Sequence, residues 1–560
     1  MDRAIKWAIL MNCGGWLALG QSPEPAPRFE IADVHVSAKT VNPFVRSTPV
    51  RGGRYEVKNA TMVDLIRIAY GFDPDKVLGG PNWLEMNRFD VLAKVPVGST
   101  PETHKLMLQS LLEDRFKLTL HRETKPLPTY ALTAGKKLQL KEADGKEETG
   151  CRPQSASGAP GEGEIMLMTE GSNGVPMRIS LGPGMTVHYM CRNMTMAAFA
   201  AGLRGMMGAS VGPNQVMDET GLKGNWNFDV KWSMGFIGPL AANTSDRISV
   251  FDAVEKQLGL KLEQRQIPTQ VIVVDSVNEK PSNNPPGVAE ALPTIPLPTE
   301  FEVASVKPSD PGGRGGRYQV QPGGRLNVEG MTMRFLIIRA FSTIGQGTIF
   351  MGGEQVTGIP SWADTARFDI IAKAPSVGPS APAMDMEAAA PMLRALLVDR
   401  FKMTYHTEDR PVTAYSLVSV KSKMKKADPA SRTSCKNAGA PAGAPPGSQV
   451  LTCQNITMAQ FVDRLQNMTP ELSWPVLDAT EIEGGWDFSL MFNRNAGMIG
   501  GGRGGDAGRV DGAVPLASDP TGALTLFEAV EKQLGLKLEM RKRSMPVIVV
   551  DHLEQKPTEN

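Results

Sequence analysis

AVEKQLGLKLE stands at Ala253–Glu263 and again, unchanged, at Ala529–Glu539, and each copy runs on into a VIVVD segment ending at Asp275 or Asp551. An eleven-residue identity followed by a second shared segment is the mark of an internal duplication. The earlier segments also return in the same order. FEIADVHVS from Phe29 recurs as FEVASVKPS from Phe301, and GGRYEVKNATM from Gly52 as GGRLNVEGMTM from Gly323. RFDVLAK from Arg88 recurs as RFDIIAK from Arg367, and LLEDRFKLTLHRE from Leu111 as LLVDRFKMTYHTE from Leu396. CRNMTMAAF from Cys191 recurs as CQNITMAQF from Cys453. The offset drifts between roughly 260 and 285 residues, so insertions fall in loops. Two copies of this length are a tandem duplication of a large domain, since solenoids repeat every ~20–50 residues.

The expected organisation is a first repeat at 29–284, a Pro-rich linker at 285–300 and a second repeat at 301–560. The stretch from Lys280 to Glu300 is rich in proline and lacks apolar periodicity, which predicts a semi-extended spacer. Within a repeat, FEIADVHVS and RYEVKNA read as strands. Thr61 sits where an N-cap belongs, ahead of a helix whose Met62, Leu65, Ile66, Ile68 and Ala69 share one face. RFDVLAK reads as a strand, HKLMLQSLLEDRF as an amphipathic helix, and KLTLHRE with PTYALTA as a hairpin across a Pro-x-Pro turn. After an irregular Gly-rich stretch come the helix MTMAAFAAGLRGM, the strand NWNFDVKW, a helix ended by Gly259, and two closing strands, KLEQRQ and QVIVVD. Helices and strands interleave, but the hairpin and closing strands argue against an all-parallel sheet. The expected class is α+β: two tandem homologous α+β domains with mixed or antiparallel sheets and packed helices, each of one domain or two small lobes.

The 560 residues carry 60 Lys+Arg against 59 Asp+Glu, with 41% hydrophobic residues. That apolar content excludes wholesale disorder, and the balanced charge gives no broad footprint for nucleic acid or an anionic membrane. Residues 1–20 read as a secretory signal: Arg3 and Lys6, a mostly apolar run from Ala8 to Leu19, and small residues Ala18 and Gly20 before a proline-rich stretch. The run is short for a permanent membrane helix, and no later stretch is long and apolar enough to be one. The expected location is therefore extracytoplasmic, periplasmic or secreted.

Apart from Cys13, each repeat holds two cysteines, Cys151 with Cys191 and Cys435 with Cys453, each pair bracketing the irregular stretch before the NMTMA or NITMA helix. Even counts in an exported chain favour disulfides within each repeat, and the lack of a C-x-x-C spacing argues against a metal site.

These motifs together resemble the soil-associated protein family typical of Acidobacteria, a domain of unknown function, present here as two tandem copies. They run in the order F-E-V-A-S-V-K-P, G-x-P-x-W, R-F-D-I-x-A-K, L-L-x-D-R-F-K-x-x-x-H, V-x-D-x-T-x-x-x-G-x-W-x-F, Q-L-G-L-K-L-E and K-P-S-x-N. The resemblance implies an exported protein. In some relatives the domain is attached behind a membrane metallopeptidase of the antibiotic-sensing type, which implies sensing; this chain has no H-E-x-x-H motif. The family has no established catalytic residues to carry over.

Few polar positions match between repeats. His121 and His406 are the only histidines that do, each followed two residues on by Glu123 or Glu408; a general base or a strand histidine bonded to its neighbours fits. Asp218 and Asp478 fall in the V-x-D-x-T turn, where an Asp bonds backbone N–H groups, and the acidic residues nearby are too few for a calcium loop. At that turn Gly221 becomes Glu481, so if the turn needs a positive φ at Gly221, Glu481 must find another solution, which argues against a shared activity there. The Gly-rich runs at Gly312 and Gly497 lack the Gly-Lys-Ser/Thr of a phosphate loop and read as flexible loops. The tryptophan pairs Trp83/Trp362 and Trp226/Trp486 suit either core packing or a ligand pocket. No G-x-S-x-G elbow is present. The expected function is a non-catalytic extracytoplasmic binding or sensing protein with no cofactor or metal, whose partner is a protein or a small-molecule ligand. A structural envelope or matrix component and an exported hydrolase are the alternatives.

Overall fold

The computed structural model describes residues 26–559, apart from 39–43, 155–164, 171–175, 182–185, 208–214, 234–247, 293–297, 311–315, 322, 342–353, 376–383, 385, 439–447, 466–471, 473 and 494–523. The first repeat opens with strands β1 (Ile31–Val36), β2 (Arg46–Arg51) and β3 (Arg54–Thr61), helix α1 (Met62–Tyr70), and strands β4 (Val77–Gly79) and β5 (Arg88–Lys94). Helix α2 (Pro101–Phe116) follows. Thr61 caps α1 by accepting from Asp64 N, while the Asp64 carboxylate accepts from Thr61 N in return, so two otherwise unpaired amides are satisfied. The sheet, antiparallel in the order β1-β5-β3-β2, buries Val57, Phe89 and Val91 against Leu65 and Ile66 of α1 and Leu108, Leu112 and Phe116 of α2.

The R-F-D motif stabilises a bulge in this sheet. Asn59 takes a φ of 57°, and its N–H donates to Asp90 Oδ1 at 2.8 Å, while Ser37 Oγ donates to the same oxygen at 2.5 Å. Burial works to raise the Asp90 carboxyl, but the bonds from His35, Ser37 and the Asn59 N–H overcome it and hold it at about 2. Gly330 N and Ser309 Oγ make the same contacts with Asp369 in the second repeat.

A second core lies beyond a long ribbon. Strand β6 (Thr119–Ala134) leads into β7 (Lys141–Glu142), β8 (Gly150–Pro153), the hairpin β9 (Ile165–Glu170) and β10 (Pro176–Leu181), β11 (Thr186–Met194) and helix α3 (Met196–Met207). Strands β12 (Val216–Asp218) and β13 (Trp226–Ser233), helix α4 (Val250–Leu258) and strand β14 (Leu260–Ser276) complete the repeat. The antiparallel sheet β7-β13-β11-β8 packs Phe228 and Val230 against Phe199 and Leu203 of α3 and Val254 and Leu258 of α4. Gly259 ends α4 at φ 70°, where a Cβ would stand 1.9 Å from Lys137 O; Gly535 faces Lys421 O at 1.7 Å in the same way. That approach requires the glycine of the Q-L-G motif in both copies.

The ribbon corrects the sequence reading. The expected Pro-x-Pro hairpin is one 16-residue strand, and the two closing strands are one 17-residue strand. They pair antiparallel along their whole length, with Pro268 opposite Pro126. Pro126 and Pro128 occupy alternate positions, so the N–H groups they lack all point off one edge of the ribbon and the ladder survives. With β12 parallel to β6 and β4 parallel to β14, this sheet is mixed. Its ends serve different cores: Leu118, Ile272 and Val274 join the first, Tyr130, Leu132 and Leu260 the second. Each repeat is therefore α+β and is built of two lobes on one ribbon.

The second repeat follows the same plan. In the linker, a one-turn helix α5 (Val288–Ala291) lies against β1 with Val288 and Leu292 buried, where a bare spacer was expected. Then come β15 (Val303–Pro308), β16 (Arg317–Gln321), β17 (Arg325–Thr332), α6 (Met333–Ala340), β18 (Val356–Thr357), β19 (Arg367–Lys373) and α7 (Met386–Phe401). The ribbon strand β20 (Thr404–Ser419), β21 (Lys425–Lys426), β22 (Ser434–Ala438), β23 (Ser448–Ile456), α8 (Met458–Leu465), β24 (Val476–Asp478) and β25 (Trp486–Asn493) follow. Helix α9 (Leu526–Ala529, continued by a π turn at Val530–Leu534) and β26 (Leu536–His552) close it. The strand orders β15-β19-β17-β16, β18-β26-β20-β24 and β21-β25-β23-β22 reproduce those of the first repeat.

Glu481 takes the left-handed conformation itself: its φ of 58° matches the 69° of Gly221. A Cβ at Gly221 meets nothing within 4 Å, so the side chain fits and only the backbone is strained. Glu481→Gly is expected to raise the unfolding free energy by about 1 kcal/mol, and Gly221→Ala to lower it by a similar amount. Urea titration of the two variants checks this, and equal shifts of one sign would contradict it.

Candidate functional site

The matched polar residues do not converge. His121 Nδ1 lies 2.9 Å from Asp275 Oδ1 across the ribbon, and Glu123 is 3.8 Å from Nε2. His406 repeats this with Asp551 at 2.9 Å and Glu408 at 3.8 Å, and the bond to Asp551 raises its imidazole above the ordinary value. All four partners in these His–Asp pairs are about half exposed. Asp218 pairs in register with Leu132 and Asp478 with Leu417. Each is thus eleven positions along the ribbon strand from its histidine, about 36 Å at the rise of a strand. Asp218 Oδ1 accepts from Thr220 N at 2.9 Å and Thr220 Oγ1 at 2.7 Å, and Asp478 does the same for Thr480. These aspartates bond their own turns.

The cysteines pair within each repeat. Cys151 stands opposite Cys191 on β8 and β11, and Cys435 opposite Cys453 on β22 and β23, both at Cα–Cα 4.0 Å and bonded. Trp83, Trp226, Trp362 and Trp486 each pack against one of the four cores. The run from Gly497 lies outside the described residues, as does most of the run from Gly312. Residues 1–20, expected to be a secretory signal, lie outside them too. Among the described residues no group of three or more His, Cys, Asp or Glu is arranged for a metal ion, and no helix is long and apolar enough to cross a membrane.

A concave site exists where the two repeats differ. A groove of about 660 Å³ opens in the first lobe between the β2–β3 hairpin and the start of α2, a volume in the range of small-molecule sites. Its apolar wall is Pro49, Val50, Ile68, Val95, Pro96 and Val97, and its polar groups are Ser47, Thr48, Tyr55, Ser99, His104 and Lys105. Thr100 caps α2 by accepting from Thr103 N, and Pro101 starts it, which sets His104 and Lys105 on its first turns. His104 is 8% exposed and its Nε2 lies 2.8 Å from Ser99 Oγ. The Tyr55 ring meets the imidazole edge-on at 6.1 Å, and burial pushes the Tyr55 hydroxyl up to about 12.

The direction of the hydrogen bonds decides what this pair can do. Ser99 Oγ also lies 2.9 Å from Pro96 O, which can only accept, and with the serine proton placed there the imidazole donates from Nε2 and Ser99 accepts. A nucleophilic serine needs the reverse, with the base taking its proton. With the serine proton donated to Pro96 O, the pair ties the start of α2 to the groove rim.

Helices α2 and α7 have the same length and end on the shared DRF, which aligns His104 with Ala389 and Lys105 with Ala390. These groove side chains are not among the polar residues that match between repeats, because the imidazole and the ammonium occur in the first copy and alanines stand in the second. The visible signal is the polar T-H-K triplet in one copy against A-A-A in the other.

Residues 63–277 and 349–553 each match one protein family, described as "Protein of unknown function (DUF3738)", and the chain belongs to that family as a tandem pair. No curated protein matches the chain, and no solved structure does.

Proposed function

We propose that this is an extracytoplasmic, non-catalytic binding protein whose ligand seats in the groove of the first repeat. The observation that supports this most is the groove itself, with a buried imidazole and a lysine that has no ion-pair partner among the described residues, both replaced in the second repeat by Ala389 and Ala390. The ligand class is a small anion with an apolar body. Pro49, Val50, Val95 and Val97 receive the body, and the Lys105 ammonium faces the anionic end. The two intrachain disulfides accord with an oxidising compartment.

Titration with decanoate and with decanol, followed by calorimetry, tests the reading. The wild type is expected to bind decanoate saturably, and His104→Ala with Lys105→Ala to weaken it about 10-fold, the equivalent of roughly 1.4 kcal/mol. Decanol, which lacks the charge, is expected to be affected less. Equal decanoate binding by the variant, or no saturable binding by the wild type, defeats the proposal.

A further inference from the structure

The two repeats touch directly, and the contact is asymmetric. The loop before Cys435 in the second repeat reaches the G-G-P-N-W segment of the first. Arg432 donates from Nη1 to Val77 O and from Nη2 to Gly79 O, both at 2.6 Å, and its Nη1 is 3.2 Å from Glu85 Oε1. Lys436 Nζ lies 3.0 Å from the same carboxylate oxygen. Thr433 N donates to Asn82 O at 3.0 Å, and Asn82 Nδ2 to Pro429 O at 3.3 Å. The Arg432 and Glu85 side chains are only 14% and 16% exposed, and burial pulls the Arg432 guanidinium below its ordinary value.

Both halves of this contact occur twice in the chain, once used and once facing outward, where the Asp364 and Glu148 side chains are 48% and 75% exposed. The acceptor half is the segment Val77–Glu85, whose outward copy is Val356–Asp364. The donor half is the loop three residues before a disulfide cysteine, where Arg432 stands in the second repeat and Glu148 in the first. The backbone groups are common to both copies, so the charges distinguish them.

Two substitutions close the outward copies. Two residues past the helix cap Thr332, Arg334 binds Asp364 through paired nitrogens, one at 3.1 Å, so the outward acceptor already has its cation. Two residues past the equivalent cap Thr61 stands Val63, which leaves Glu85 to take its cation from the other repeat. On the outward donor loop Glu148 replaces the arginine and is paired with Arg152. Glu148 would bring a carboxylate against Asp364, a like-charge meeting that disfavours docking.

We propose that the repeats form a one-way lock: the acceptor face of the first takes the Arg432 loop of the second, and Arg334 with Glu148 shuts the two outward copies against a second chain. A head-to-tail contact that does not close by symmetry otherwise grows into open filaments. The partner that this surface fits is the other repeat of the same chain.

Full-length variants test both parts. Arg432→Glu and Glu85→Arg lie in different repeats, and each places like charges in the contact. Each is expected to raise the radius of gyration in small-angle scattering while leaving the far-ultraviolet circular dichroism unchanged. Should one of them misfold, the other decides, and a folded variant with the wild-type radius overturns the lock. In sedimentation equilibrium the wild type is expected to stay a monomer. Arg334→Val with Glu148→Arg is expected to show an average mass that at least doubles as concentration rises. A double variant that remains monomeric, or a wild type that itself associates, overturns the shutting of the outward copies.

Discussion

Replacing Cys151 and Cys191 together by alanine is expected to lower the unfolding free energy of the first repeat's second lobe by about 4 kcal/mol, and Cys435 with Cys453 that of the second repeat by about 3 kcal/mol. The separations of 40 and 18 residues set that order, because the longer loop loses more freedom when closed in the unfolded chain. Both bridges join strands that the sheet already pairs, so removing them leaves the native ladder in place. The stabilisation therefore acts on the unfolded state. Guanidinium titrations of the two double variants, with and without reductant, measure it. The wild type in reductant should fall to the level of the variants. A drop below 1 kcal/mol in either, or a larger drop for the shorter loop, contradicts the account.

Arg115→Ala is expected to cost about 3 kcal/mol and to free the segment after β14. Arg115 is 8% exposed and donates from Nε to Ser282 O at 3.1 Å, from Nη2 to Asn284 Oδ1 at 2.6 Å, and from Nη1 to Ala32 O at 3.3 Å. Asn284 Oδ1 in turn accepts from Val34 N at 2.9 Å, so one guanidinium ties the K-P-S-x-N tail to the edge of β1. Alanine leaves these acceptors without their charged donor, and the tail loses its anchor. Arg400 holds the corresponding tail through Glu559 O and Ala304 O. Hydrogen exchange at Ser282 N, which donates to Arg115 O at 2.8 Å, should accelerate in step with the loss of stability. Arg115→Lys keeps the charge but loses the fork and should fall between. A fully protected tail in the alanine variant would falsify the anchoring role.

Both predictions concern motifs that are readable in one dimension, and their meaning is physical. The D-R-F arginine recurs because a tail of fixed length returns to the same strand edge in each repeat. The glycine of Q-L-G recurs because a carbonyl stands less than 2 Å from where a Cβ would be. The aspartate of R-F-D recurs because a bulge amide needs an acceptor. Such residues specify the fold, which is why they match between repeats while His104 and Lys105 of the groove do not.

The duplication, the α+β class, the helix cap at Thr61, the C-cap at Gly259 and the cysteines that bracket one segment in each copy are legible in the amino-acid string. These are local patterns: a periodicity, a capping residue, or a repeated string is complete within a few positions of the chain. Tertiary structure alone decided the rest. Prolines at 126 and 128 read locally as a turn, yet they extend one strand, because a ribbon partner pairs with both flanks and the missing N–H groups fall on a free edge. The groove draws on the β2–β3 hairpin, α1, the chain after β5 and the start of α2, so no single stretch announces it. Glu85 and Arg432 lie 347 residues apart, and only the docking of one repeat on the other makes them a pair.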